Sequence, residues 1–109
     1  MTNTYTNAKK DLTTTNVTTL YTTPSLTTSI IKSIIVSEDS GNADTITVTI
    51  TDTASTPATF SLYKTKAISA NATAELLTAP LVLKTGEILK VTAATGGRLH
   101  VVASIQEIS

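Results

Sequence analysis

The sequence predicts an all-β fold: a β-sandwich or jelly-roll-like domain of seven to eight short antiparallel strands, with an extended N-terminal arm. Three observations carry this. Thr, Ile and Val are abundant, Thr alone supplying 25 of the 109 residues, and branching at Cβ favours a pleated backbone over a helix. Apolar and polar residues alternate at period two in several stretches. Turn residues recur at intervals of roughly 8–12 residues, as in sandwiches and barrels. No 3.6-residue period runs long enough for a substantial helix.

The first segment, 1–16, stands apart from the rest. It is rich in Thr, Asn and Lys, with Tyr5 and Leu12 its only large apolar side chains after Met1. It reads as a frayed terminus or as an arm that orders against a neighbouring subunit. The sandwich domain is expected over 17–109 and opens with a strand at Val17–Thr22. Ser29–Ser37 is denser: strict alternation sets Ile30, Ile34 and Val36 on one face with Lys32, and Ile31 and Ile35 on the other. Both faces are therefore expected to be covered, one by the second sheet and one by a neighbour.

The clearest alternation is Thr45-Ile46-Thr47-Val48-Thr49-Ile50-Thr51, with three aliphatics on one side and four threonines on the other. Thr59–Tyr63 alternates in the same way. Further strands are expected at Ala74–Leu77, Leu81–Lys84, Ile88–Thr92 and Arg98–Ile105, the last with Leu99, Val101, Ala103 and Ile105 on one face. Pro24, the Glu38–Asp44 loop, Ser55-Thr56-Pro57, Pro80, Thr85-Gly86 and Gly96-Gly97 mark the turns. Gly96-Gly97 in particular reads as a hairpin turn between two strands.

Composition excludes several functions. The chain carries 8 basic and 8 acidic residues and only 15% charged residues, so it has no electrostatic footprint for nucleic acid or an anionic membrane. It has no Cys, hence no disulfide framework and no thiolate nucleophile or metal ligand. The longest apolar runs, Ile34-Ile35-Val36 and Leu81-Val82-Leu83, fall far short of the roughly 20 residues of a membrane helix. The first residues lack the basic patch and apolar core of a signal peptide, which points to synthesis in the cytoplasm.

The catalytic inventory is thin. His100 is the single imidazole, it alternates with apolar residues on a strand, and no serine sits in a Gly-x-Ser-x-Gly elbow. No catalytic residue, no cofactor site and no metal site is therefore assigned. Glu38, Asp39 and Asp44 share a loop with Asn42, but without EF-hand spacing this reads as a solvated turn rather than a calcium site. Asn16-Val17-Thr18 and Asn71-Ala72-Thr73 match the glycosylation acceptor by chance in so threonine-rich a chain. With aromatic residues at 4%, a carbohydrate- or cell-surface-binding module is a weaker reading, with Tyr63 its most direct test. What remains is the threonine face. Solvated sheet faces usually carry Lys and Glu, whereas an uncharged, hydroxyl-rich face suits packing against another protein. The residues expected at such an interface are Tyr5, Leu12, Thr45, Thr47, Thr49 and Thr51.

From Leu20 onward the chain resembles small virion structural proteins of tailed bacteriophages. The resemblance rests on Leu20-Tyr21-Thr22-Thr23-Pro24, Ile31–Ser37, Thr45–Asp52, Glu75–Leu83, Glu87–Ala93 and the strand Leu99–Ile105. Where such proteins are commonly glycine-rich, between Tyr21 and Ser29, this chain has Pro24 and no glycine. The resemblance implies a β-sandwich on the virion and no enzyme. It implies a capsid cement or decoration protein, with a neck, tail or fibre-attachment component as the alternative. Its implied partners are the major capsid protein and copies of itself, in a homo-oligomer that is often a trimer in such roles.

Overall fold

The computed structural model describes residues 2–53 and 56–109. Its strands are β1 (Asn3–Leu12), β2 (Thr18–Thr22), β3 (Thr28–Glu38), β4 (Asp44–Asp52), β5 (Ala58–Ile68), β6 (Thr73–Glu75), β7 (Leu81–Leu83), β8 (Ile88–Ala93) and β9 (Leu99–Ile108). They form a β-sandwich with no helix among the described residues. One sheet runs β1-β9-β3, with β6 and β7 paired end to end along the outer side of β3. The other runs β2-β8-β4-β5. Every pairing is antiparallel.

The core lies where period-two alternation turns one side of each strand inward. Ile46 and Val48 of β4, Leu89 and Val91 of β8, and Leu99, Val101 and Ala103 of β9 are all without solvent exposure. Leu20 from β2 and Ile31, Ile34 and Val36 from β3 complete the layer between the sheets. Two tyrosines tie the sheets together through their hydroxyls. Tyr21 Oη of β2 lies 2.6 Å from Ser29 Oγ and donates to Glu107 Oε2 at 2.5 Å. Tyr63 Oη of β5 donates to the Leu76 carbonyl after β6.

Four expectations change here. Strict alternation along β3 fails because its pairing with β9 shifts between Ile31 and Ser33. A bulge of this kind inserts one residue and flips the faces that follow. Ile31, Ile34 and Val36 therefore all point inward, while Ile35, at 39% exposure, joins the outer face. Glu75 of β6 holds this stretch, its carboxylate accepting from Ser33 Oγ and from Ile34 N at 2.9 Å.

The segment expected as a frayed terminus or an arm on a neighbour is β1, a ninth strand. Over Asn3–Leu12 it pairs residue by residue with β9 of its own chain. Its apolar pattern is too weak to announce a strand, because only Leu12 of the ten residues is buried. The ladder with β9, not side-chain burial, sets its course.

Gly96-Gly97 is not a hairpin, since β8 and β9 belong to different sheets. The pair instead carries the chain across the end of the sandwich. Gly97 takes a φ of 80° and its N–H donates to the Leu12 carbonyl at 2.8 Å. Gly96 is needed for space: a Cβ there would lie 2.4 Å from the Thr13 carbonyl oxygen.

In the Glu38–Asp44 stretch residues 39–43 are exposed, as a solvated turn requires, but the flanking Glu38 and Asp44 are buried. Glu38 Oε2 accepts from Ser40 N at 2.8 Å and from Ser40 Oγ. Glu38 Oε1 accepts from Gly41 N and Asn71 N, both at 3.0 Å. Both carboxylate oxygens are thus spent on the chain itself, joining the β3–β4 and β5–β6 loops. The expected turn at Ser55-Thr56-Pro57 includes Ser55, which lies outside the described residues.

Candidate interaction surface

The threonines of β4 lie where the alternation puts them, on the outer side of the four-stranded sheet. Thr45, Thr47, Thr49 and Thr51 are each half-buried by their neighbours across the strands. The registers extend this row into a field of hydroxyls. Thr49 lies between Lys90 of β8 and Ser61 of β5, and Lys90 in turn faces Thr19 of β2. Thr47 faces Thr92, and its Oγ1 accepts the Thr65 N–H at 3.1 Å. Thr51 faces Ile88 and Thr59, with the two threonine Oγ1 atoms 3.2 Å apart. Lys90 is the one charge in these rows.

The sequence pointed to the β4 threonines alone. The contributions of Thr19, Ser61, Thr59 and Thr92 depend on strand order and register, which no single strand reveals. Sheet order is what turns one threonine row into a surface.

Tyr5 and Leu12 do not join this surface. Tyr5 is 71% exposed but sits on the five-stranded sheet, where the Lys32 ammonium lies 5.8 Å from its ring centroid. Leu12 is a correction: it is buried at 2% exposure in the core, held where β1 ends against Leu99, and no partner can reach it. The threonine row and Tyr5 thus lie on opposite outer faces of the sandwich.

His100 shares the Tyr5 face. It stands opposite Asp11 of β1 in the ladder, with Nε2 3.2 Å from Asp11 Oδ1 and Nδ1 3.4 Å from Asp39 Oδ2. With a carboxylate at each ring nitrogen, the imidazole is not placed to take a proton from a serine. The two aspartates flank the ring from opposite sides, so they do not converge with it on one ion. Among the described residues no three His, Asp or Glu side chains are grouped to hold a metal.

Besides Glu75, where burial raises the carboxyl but the Ser33 hydroxyl and backbone N–H groups outweigh it and lower the pKa, two ionisable groups are displaced from their ordinary values. Burial alone would raise the Glu38 carboxyl, but the Ser40 hydroxyl and the N–H groups of Asn71, Ser40 and Gly41 outweigh it and lower the pKa to about 2. The Tyr21 phenol is raised to about 12, first by burial and then by its hydrogen bond to Glu107. Both groups hold loops or sheets together. Neither lies in the hydroxyl field.

No protein-family model and no curated protein sequence matches the chain. Its fold is similar to that of a chain in the structure of infectious bursal disease virus Gt strain. The TM-score is 0.51 at 12% identity, over 98% of this chain and 30% of that one. The protein thus spans less than a third of that neighbour. A chain of the cryo-EM structure of the giant freshwater prawn Macrobrachium rosenbergii extra small virus particle is similar over 97% of this chain and 77% of that one, with 16% identity and a TM-score of 0.44.

Proposed function

We propose that the protein is a structural component of a bacteriophage virion, a capsid cement or decoration subunit that bridges capsid subunits. One observation carries the reading: on the outer side of the four-stranded sheet, the rows through Thr47, Thr49 and Thr51 present Thr and Ser hydroxyls and Ile88, with Lys90 as their single charge, Lys64 and Lys66 standing on the adjoining part of β5. Placing such a face against a protein costs little desolvation, because each hydroxyl can donate and accept as its new neighbour requires. Many copies repeated around a symmetric shell would then turn weak contacts into firm attachment. The sequence resemblance to tailed-phage virion proteins and the sandwich shared with a chain from a virus structure support the same reading. Tyr5, on the opposite face, is a second contact available to a neighbour. The partners are the major capsid protein and further copies of this chain.

Stoichiometry on purified particles tests this. A cement subunit is expected in tens to hundreds of copies per particle, in proportion to the major capsid protein. A single ring's worth of copies would move the protein to the neck or tail, and absence from particles would end the virion reading.

A further inference from the structure

The acids of this chain are engaged within the fold, and its cations are not. Among the described residues the ion pairs are those of His100 with Asp11 and Asp39. Glu38, Asp44, Glu75 and Glu87 accept backbone N–H groups. Glu107 accepts from the Tyr21 hydroxyl, and Asp52 has a partner as well. No carboxylate among them stands within ion-pair distance of a lysine or arginine.

For most of the cations water is partner enough. Lys9 and Lys10 lie on β1 and Lys64 and Lys66 on β5, both at sheet edges, where exposed charge is well solvated and discourages strand pairing. Lys84 is exposed after β7. Lys32, on a central strand, lies over the Tyr5 ring, and Arg98 Nη1 donates to the Ala43 carbonyl at 2.8 Å. Lys90 differs from all of these. It is half-buried on β8, an inner strand of the four-stranded sheet, with Thr19 opposite it on one side and Thr49 on the other. Ile88 and Thr92 flank it along the strand. None of these four can neutralise an ammonium, and the cross-strand positions where an opposite charge would pair with it hold hydroxyls instead.

Water satisfies this ammonium while the face is open. Covering the face removes that water, and an ammonium buried without a counter-charge is strongly unfavourable. The counter-charge has to come from whatever covers the face, since the acids of this chain are engaged elsewhere. We propose that the partner seated on the hydroxyl field places an Asp or Glu carboxylate against Lys90 Nζ, with the Thr19 and Thr49 hydroxyls beside it as further donors. The inference rests on the docking role proposed above and adds the chemistry of the surface that docks: one acidic side chain facing the ammonium in rows of hydroxyls. A protein carboxylate fits this better than a nucleic-acid backbone, because one ammonium among hydroxyls matches one negative charge, whereas a phosphate-binding face gathers several cations. A single charge pair inside the contact also fixes its register.

Attachment of the whole protein to particles assembled without it tests the pairing. Lys90→Arg should attach like the native chain. Lys90→Met keeps the length of the stem and removes the charge. It should attach at least about thirtyfold more weakly, as expected when the opposing carboxylate is left buried and unpaired. Lys90→Glu should attach more weakly still. All three should melt at the native temperature, because the ammonium has no partner in the fold. If Lys90→Met attaches as tightly as the native chain while Thr49→Lys does not, the carboxylate is overturned and the docking face stands. If both attach normally, the docking face falls and the pairing with it. Duplex DNA used as a probe should not bind, and DNA binding that Lys90→Met abolishes would overturn the choice of a protein carboxylate.

Discussion

The two outer faces of this sandwich are built on the same backbone geometry and differ in chemistry. Across the four-stranded sheet, Thr19, Thr47, Thr49, Thr51, Thr59, Ser61 and Thr92 present hydroxyls around one ammonium. The five-stranded sheet presents a mixture instead. Ile35, Val82 and Val102 are 39%, 55% and 38% exposed, and among them lie Lys32 over Tyr5 and His100 between Asp11 and Asp39. Such a mixture is ordinary for a surface facing water, where scattered aliphatics and paired charges are both tolerated. Rows of hydroxyls around one ammonium are less ordinary, and on this contrast rests the proposal that the four-stranded sheet is the docking side.

Adjacent residues of β4 break this contrast down to its causes. Val48 is without exposure in the core, so Val48→Asp buries a carboxylate with no partner and should cost more than about 4 kcal/mol, unfolding the domain. Circular dichroism would read this directly, and a folded variant would refute the inward assignment of β4. One residue along, Thr47→Lys or Thr49→Lys points outward. Thr49→Lys should change stability by no more than about 0.5 kcal/mol and Thr47→Lys by about 1 kcal/mol, since it also loses the bond from the Thr65 N–H, while each should abolish attachment to particles.

Between these extremes stand two ionisable groups that fasten parts of the sandwich, Glu38 between loops and Tyr21 between sheets. Glu38 titrates at about 2 in the fold, below its unfolded value near 4.5. The stability it contributes is thus full above pH 4.5 and lost as pH falls through about 2. Glu38→Gln should be less stable at neutral pH and nearly flat across that window, which thermal melts at stepped pH would show. The Tyr21 phenol is raised from 10.0 to about 12, so its contribution is full below pH 10 and lost as pH rises through about 12. Tyr21→Phe strips the partner from Ser29, which is fully buried, and should cost about 1–2 kcal/mol. Neither substitution should alter docking, because neither side chain belongs to the hydroxyl field.

Much of this architecture is legible in the residues. Ile46, Val48, Leu99, Val101 and Ala103 fall on the faces that alternation assigns them, because an unbroken strand has no other way to bury them. Legibility ends where the backbone departs from period two or where a distant strand decides. The bulge before Ser33 is held by a carboxylate from Glu75, about forty residues further on, and it parts Ile31 from Ile35, which strict alternation sets on one face. β1 is recognised by β9 and not by its own pattern. The role of Gly96 rests on the approach of Thr13, which only the assembled sandwich brings near. Glu38 looks like a solvated acid until the β5–β6 loop supplies the Asn71 N–H. The threonine row was visible on β4, whereas the field around it required the sheet order.

Reconstruction of phage particles assembled with the protein is the most direct test of the proposed docking side. The account predicts density over the whole shell, with Thr45, Thr47, Thr49 and Thr51 turned onto capsid subunits and the Tyr5 face toward solvent or a neighbouring copy. Density that leaves those four threonines in open solvent would contradict it.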